Sequence, residues 1–393
     1  MTDTPKEPSD YRGPAFLSYG FRPFFLGAAV FAGVAVPAWI LTLAGRGDFD
    51  FVYSARDWHV HEMLFGFMPA VITGFLMTAM PNWTDRPPIR GRPLMLLFTL
   101  WMAGRLLIAI PWLPPIVSAT VDGAFLVVVS ALVWREITAG KSWSQAPMGV
   151  LITVYTAAGI LFHVLALSAA ATDLPERIAL SLVMVLLTLI GGRVTPNFTG
   201  EFLVEHGRSE QPAPFSRYDG LSVLLVVIAA VTWIVQPHAL ATGCLFMMAG
   251  LANLGRLSRW HGWTTWREPL VMILHMGYAW LVLALLVMAG AIFEIGLPTA
   301  DAVHALTTGA VGVMTLAVMT RASLGHTGRP RHAGPLTVTI YMLVTVGALL
   351  RVVGPSTGLP TNLILGLAAV GWSGAYLLFA VIYGPYLLRP GLE

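Results

Sequence analysis

The sequence predicts an all-α polytopic membrane protein of about twelve transmembrane helices, in three four-helix units with a pseudo-threefold arrangement. Three observations predict it. The chain is 56% hydrophobic and 11% charged, with a mean hydropathy of +0.73, whereas a soluble domain carries about 25% charge. Apolar runs close to the about 20 residues that cross a bilayer recur along the whole length. A motif-bearing segment recurs three times, and an internal repeat bounds the fold before any finer reading.

The elements follow in order. Residues 1–20 form a polar tail without an apolar run, so no cleavable leader is expected and the first span, 22–44, is retained as an anchor. Further spans are expected at 59–80, 93–112, 114–134, 147–168, 175–195, 218–235, 237–257, 269–290, 300–321, 335–353 and 360–384. Prolines mark most junctions, among them Pro114-Pro115, Pro147, Pro175, Pro237, Pro269, Pro298, Pro335 and Pro360. The longest polar loop is expected at 196–217, too short and too rich in proline to fold alone. Residues 1–393 therefore read as a single transmembrane domain, with repeat units at about 22–134, 147–257 and 269–386.

Orientation follows from the basic residues. With the N-terminus inside and twelve alternating spans, eighteen of the 23 Lys and Arg fall on the inner side. Arg46, Arg56, Arg177 and Arg351 fall outside, and Arg105 lies within the membrane. Both termini are expected to be cytoplasmic. The pI of about 9.1 thus reflects topology-setting loops and not a nucleic-acid partner. Cys244 is the single cysteine, which excludes intrachain disulfides and thiolate clusters.

The repeat is visible without gaps. Residues 61–91 lie over 304–334 (304 − 61 = 243), matching His61 to His304, Gly66 to Gly309, Thr84-x-Arg86-Pro87 to Thr327-x-Arg329-Pro330, and Gly91 to Gly334. Pro81-Asn82-Trp83-Thr84 recurs as Pro196-Asn197-Phe198-Thr199, with Arg193 opposite Arg321. Two copies thus carry a histidine inside an apolar span, where an ionisable group is costly and marks a functional site by default.

Depth sorts the candidates. His59 and His61 fall at the outer end of the second span, His304 at the outer end of the tenth and His163 in the outer half of the fifth. His275 lies in the inner half of the ninth, and His326 in an inner loop. Imidazole suits iron, copper and zinc, and a haem needs axial histidines from facing helices. His61 and His304 are the expected haem pair. His59 points away from His61 on the same helix, so His59 with His163 is the expected copper pair, completed by Met63 or water. His275 with His326 is the inner alternative. Each histidine could instead bond a backbone carbonyl, and Met63 could be core. Glu62 could orient a ligand histidine or favour the helix start. Arg105 needs a carboxylate, either Asp122 or a haem propionate. Arg321, in Met319-Thr320-Arg321-Ala322-Ser323-Leu324-Gly325-His326, reads as an anion or propionate site or as a positive inner loop.

Several of these segments also carry a resemblance. Gly20-Phe21-Arg22-Pro23-Phe24-Phe25, Trp58-His59-Val60-His61-Glu62-Met63-Leu64-Phe65-Gly66-Phe67, Pro81-Asn82-Trp83-Thr84, Gly91-Arg92-Pro93-Leu94, Gly192-Arg193-Val194-Thr195-Pro196, Ile273-Leu274-His275-Met276-Gly277-Tyr278 and Leu324-Gly325-His326-Thr327-Gly328-Arg329-Pro330 together resemble the NnrS family. The resemblance implies a bacterial inner-membrane protein that contains haem, here expected as b-type, and copper. It links the chain to nitric oxide metabolism and to protection from nitrosative stress, commonly in denitrification. It brings no ligand set, so the residues named above rest on depth and spacing. The architecture is also similar to that of haem–copper oxidase catalytic subunits, with departures. The sixth span has Glu176 at the repeated position and the seventh has no histidine pair.

The leading expectation, which the resemblance implies, is a haem- and copper-containing protein that binds, detoxifies or passes electrons to nitric oxide or a related molecule, in the last case as an oxidoreductase with an electron donor. The alternatives are a transporter or exporter of a metal or metal–nitrosyl species, for which twelve spans fit equally, and a haem-based sensor without turnover.

Overall fold

Tandem apolar runs broken by proline and glycine fold as helices, because a segment in lipid must satisfy its own backbone. A computed structural model describes residues 11–46 and 51–392. The first ten residues of the polar tail, with Lys6, lie outside the described residues. Among the described residues there are twelve long helices and no strand. They are α1 Phe21–Leu43, α2 Ala55–Thr84, α3 Arg92–Ile108, α4 Pro115–Ala139, α5 Ala146–Leu167, α6 Asp173–Glu205, α7 Arg217–Val235, α8 Leu240–Ser258, α9 Pro269–Ile292, α10 Thr299–Gly325, α11 Pro335–Val353 and α12 Thr361–Leu388. Eleven are long and apolar enough to cross a membrane; α3, with 17 residues, is the short one. The chain is an all-α polytopic membrane protein.

It divides into two compact units. The first is Met1–Ala179 with Ala322–Pro330 and Phe379–Glu393; the second is Leu180–Arg321 with Arg331–Leu378. In the first unit, Phe24 packs against Phe98, Trp101 and Phe125 from α3 and α4. Arg22 is fully buried there and donates through Nη1 to the carbonyls of Tyr386, Leu387 and Arg389 at 3.1, 2.9 and 2.8 Å. In the second unit, Arg256 of α8 bonds Asp219 of α7 at 3.0 Å and Tyr278 of α9 at 2.9 Å.

Each of α2, α6 and α10 contains a π-helical segment: Glu62–Phe67, Leu187–Gly191 and Ala305–Val311. A π turn disturbs the regular i→i−4 ladder and is frequent at functional sites. Carbonyls at these turns are taken up by side chains from other helices, as buried backbone acceptors require. Tyr155 donates to Leu64 O, and Trp101 Nε1 to Gly66 O at 3.0 Å. Arg256 donates to Thr188 O at 3.1 Å, and Tyr376 reaches Gly312 O at 3.4 Å. The turns in α2 and α10 begin directly after His61 and His304, so these two histidines share a helical phase.

One boundary differs from expectation. The loop expected from 196 is helical to Glu205. Pro196 lacks an N–H and cannot bond the Gly192 carbonyl. Arg256 Nη2 reaches that carbonyl at 3.4 Å, which removes the penalty that would have ended the helix.

Candidate metal centre

The centre is assembled at one end of the first unit, where α2 and α4 begin and α3 and α5 end. Ser54 caps α2, its Oγ accepting from Asp57 N at 3.1 Å. Arg56 bonds Glu176 at 2.7 Å, and Thr172 donates to Asp57 at 2.8 Å, tying the start of α2 to the start of α6. This fixes the phase in which His61 and Glu62 face inward.

Both are buried, at 0 and 1% exposure. His61 Nδ1 lies 3.0 Å from Glu62 Oε1, and His61 Nε2 lies 3.1 Å from Asp122 Oδ2. His163 Nε2 is 3.0 Å from the same Asp122 oxygen, and His163 Nδ1 is 2.6 Å from the Tyr53 hydroxyl. Arg105 Nη1 donates to Glu62 Oε2 at 2.6 Å, and its Nη2 pairs with Asp122 Oδ1. Gly66 and Gly104 make room for this packing. A Cβ at Gly66 would strike the Arg105 guanidinium, and one at Gly104 would stand 2.6 Å from Asp122 Oδ1.

The donor set fits a metal ion. One nitrogen each from His61 and His163 and one oxygen from Asp122 lie within 4.8 Å of one another, all buried. His61 Nε2, although close to Asp122, makes no hydrogen bond with it. Two donors that approach without pointing at each other can point at a third atom. Imidazole and carboxylate donors suit copper(II), zinc or non-haem iron. A macrocycle does not fit between these two rings, because the Asp122 carboxylate stands between their Nε2 atoms. With both carboxylates ionised and both imidazoles neutral, Arg105 leaves one negative charge uncompensated within this group. A bound cation offsets it.

Other expected residues lie as follows. His163 meets His61, with ring centroids 4.8 Å apart, so the expected pairing of His59 with His163 is replaced by His61 with His163. His59 instead stacks on Trp39 at 4.8 Å, because two residues along a helix turn it to another face. Met63 packs on the apolar cluster of Ala35, Tyr53, Trp58 and Ile108, which is core packing. Arg105 takes carboxylates, Glu62 and Asp122, as its partners. His304 belongs to the second unit, where its Nδ1 is 2.7 Å from Ala300 O and 3.0 Å from Arg351 Nη2. Arg351 also bonds Asp301 at 3.1 Å. His275 Nε2 bonds Thr199 at 2.8 Å, and its Nδ1 is buried without a hydrogen-bond partner against Gly262. His326 stacks with Tyr19 in the first unit. Arg321 bonds Glu201 at 3.1 Å and lies 3.6 Å over the Phe198 ring. Tyr53 was missed by sequence reasoning; only its neighbourhood, just before the Trp58–Met63 segment, could have drawn attention to it.

Fold and site together define a polytopic α-helical membrane protein with a buried histidine–carboxylate centre. The model of the NnrS protein family matches residues 15–390. The chain belongs to the NnrS family. No curated protein matches it.

Proposed function

We propose that this protein handles nitric oxide, or a closely related small molecule, at a copper ion held by His61, Asp122 and His163, within a bacterial inner membrane. Family membership supplies the nitric oxide context. The observation that carries the reading is the buried pair of imidazoles sharing one carboxylate, with His61 Nε2 unmatched by any hydrogen bond. Copper bound there supplies a coordination position and one-electron chemistry. The chain's own residues do the rest. Glu62 accepts from His61 Nδ1 and keeps Nε2 as the ligating nitrogen. Arg105 holds both carboxylates in place. Phe65 and Phe162, with ring centroids 5.8 and 5.4 Å from that of His61, exclude water. A haem, the second group implied by the family resemblance, belongs elsewhere in the chain, since the rings around Asp122 accept an ion only. The charge asymmetry of the loops supports cytoplasmic termini.

The test is metal analysis and electron paramagnetic resonance on protein purified from membranes, before and after nitric oxide. We expect about one copper per chain, a signal altered by nitric oxide, and copper lost in His163→Ala and Asp122→Asn. Full copper in both variants would overturn the assignment. Copper that ignores nitric oxide and crosses the membrane in vesicles would move the reading to an exporter.

A further inference from the structure

We propose that Tyr53 is the positioning residue that makes His163 a conditional ligand, while Glu62 makes His61 a permanent one. This rests on the metal centre proposed above. A histidine ligates through its unprotonated nitrogen, and the other nitrogen, carrying the proton, needs an acceptor. For His61 that acceptor is a carboxylate: Nδ1 faces Glu62 Oε1 at 3.0 Å, and Glu62 is held in turn by Arg105 at 2.6 Å. An ionised carboxylate only accepts. The proton of a neutral His61 therefore stays on Nδ1, and Nε2 keeps its lone pair whether or not an ion is present.

His163 is placed differently. Its Nδ1 faces a phenol, at 2.6 Å, and its Nε2 faces Asp122 Oδ2 at 3.0 Å. A phenol both donates and accepts. Without an ion, the Tyr53 hydroxyl donates to Nδ1 and Nε2–H donates to Asp122. With an ion, the neutral ring would take its other tautomer, its single proton passing formally from Nε2 to Nδ1, and the Tyr53 oxygen would accept from Nδ1–H while its own O–H turns away. The tyrosine oxygen serves both states from one position by rotation of its O–H alone, which neither an ionised carboxylate nor an apolar side chain could do. The ring is fixed for this role. Tyr53 is 7% exposed, sits in the apolar cluster with Trp58 and Ile108, and contacts Phe162 edge-on at 6.2 Å. The hydroxyl is thus presented to His163 by packing, in a segment that precedes α2.

The consequence is that removal of one oxygen atom should weaken the metal through a residue that never touches it. Copper affinity of Tyr53→Phe and Glu62→Gln, both as full-length purified protein, is measured by chelator competition. Pulsed electron paramagnetic resonance counts the coordinated imidazoles. For Tyr53→Phe we expect affinity lowered about 10- to 100-fold, coordinated imidazoles falling from two to one, and helicity unchanged by circular dichroism. A merely structural tyrosine would alter stability and leave the imidazole count at two. If wild-type protein holds no copper, the metal reading falls and this inference with it. If wild type binds copper and Tyr53→Phe binds it equally with two imidazoles, only the role of Tyr53 falls. If Tyr53→Phe does not accumulate, Tyr53→Gln, whose amide also donates and accepts, is the second variant; an imidazole count of one there also overturns the proposal.

Discussion

Arg105 shows at the level of single residues how a charge survives burial in an apolar helix bundle. It bridges Glu62 and Asp122 through separate nitrogens, and each of those carboxylates also faces a histidine. Removing the guanidinium leaves two buried carboxylates without their cation, which costs about 3–5 kcal/mol in buried pairs. We expect Arg105→Leu to accumulate poorly and Arg105→Lys to recover little, since one ammonium cannot reproduce the fork; quantifying membrane-inserted protein checks both. His326 supports a second prediction. Burial, and then the charge of Arg22, push its pKa down to about 4 from about 6.5. The unfolded chain therefore binds the proton first as pH falls. Stability from this residue is complete above about pH 6.5 and declines toward pH 4. Thermal unfolding in detergent should show this decline, and His326→Phe should flatten it. At this scale the sequence marked His61 and His163 as histidines within apolar spans, and Arg105 as needing a carboxylate. It offered Asp122 for Arg105 but could not bring the two histidines together, because their partners are far apart in the chain: His163 is 110 residues from Tyr53 and 41 from Asp122.

Among the elements, the spans were legible because lipid imposes length and composition on each helix. The π turns were not, since nothing in hydropathy records a lost ladder bond. Their chemistry lies in long-range donors such as Tyr155, Trp101 and Arg256. Arg256 is the sharpest case: it serves Thr188 O, Gly192 O, Asp219 and Tyr278 at once. We expect Arg256→Met to unwind α6 near Pro196 and to lower the unfolding temperature. The loss should be on the order of 3–5 kcal/mol, as for other buried charge pairs broken on one side. Faster amide exchange confined to residues 187–200 would be its signature; unchanged exchange there would show that the proline needs no such help.

For the whole molecule, the all-α, many-span architecture was legible in composition and hydropathy, and the loop charges set an orientation to be tested. Reporter fusions in the loops after α2 and α10 should report a cytoplasmic location, as the positive-inside rule requires. The threefold use of a four-helix unit remains our proposal for the origin of the repeat, and an experimental structure with α2, α6 and α10 in equivalent places would bear it out. The division into two contact units was not legible, because it depends on the last helix returning to the first.

That return has a consequence for biosynthesis. Arg22 belongs to α1, yet the three carbonyls that receive its guanidinium come from residues 386, 387 and 389, at least 364 residues later in synthesis. During synthesis the cell must carry a nascent membrane protein whose α1 holds a cation with these three acceptors still missing. Emergence of residues 386–389, rather than insertion of any earlier helix, then becomes the event that closes the first unit. Chains cut before residue 386 should be distinguishable to membrane proteases, and loss of residues 386–389 should shorten cellular half-life far more than so short a segment suggests.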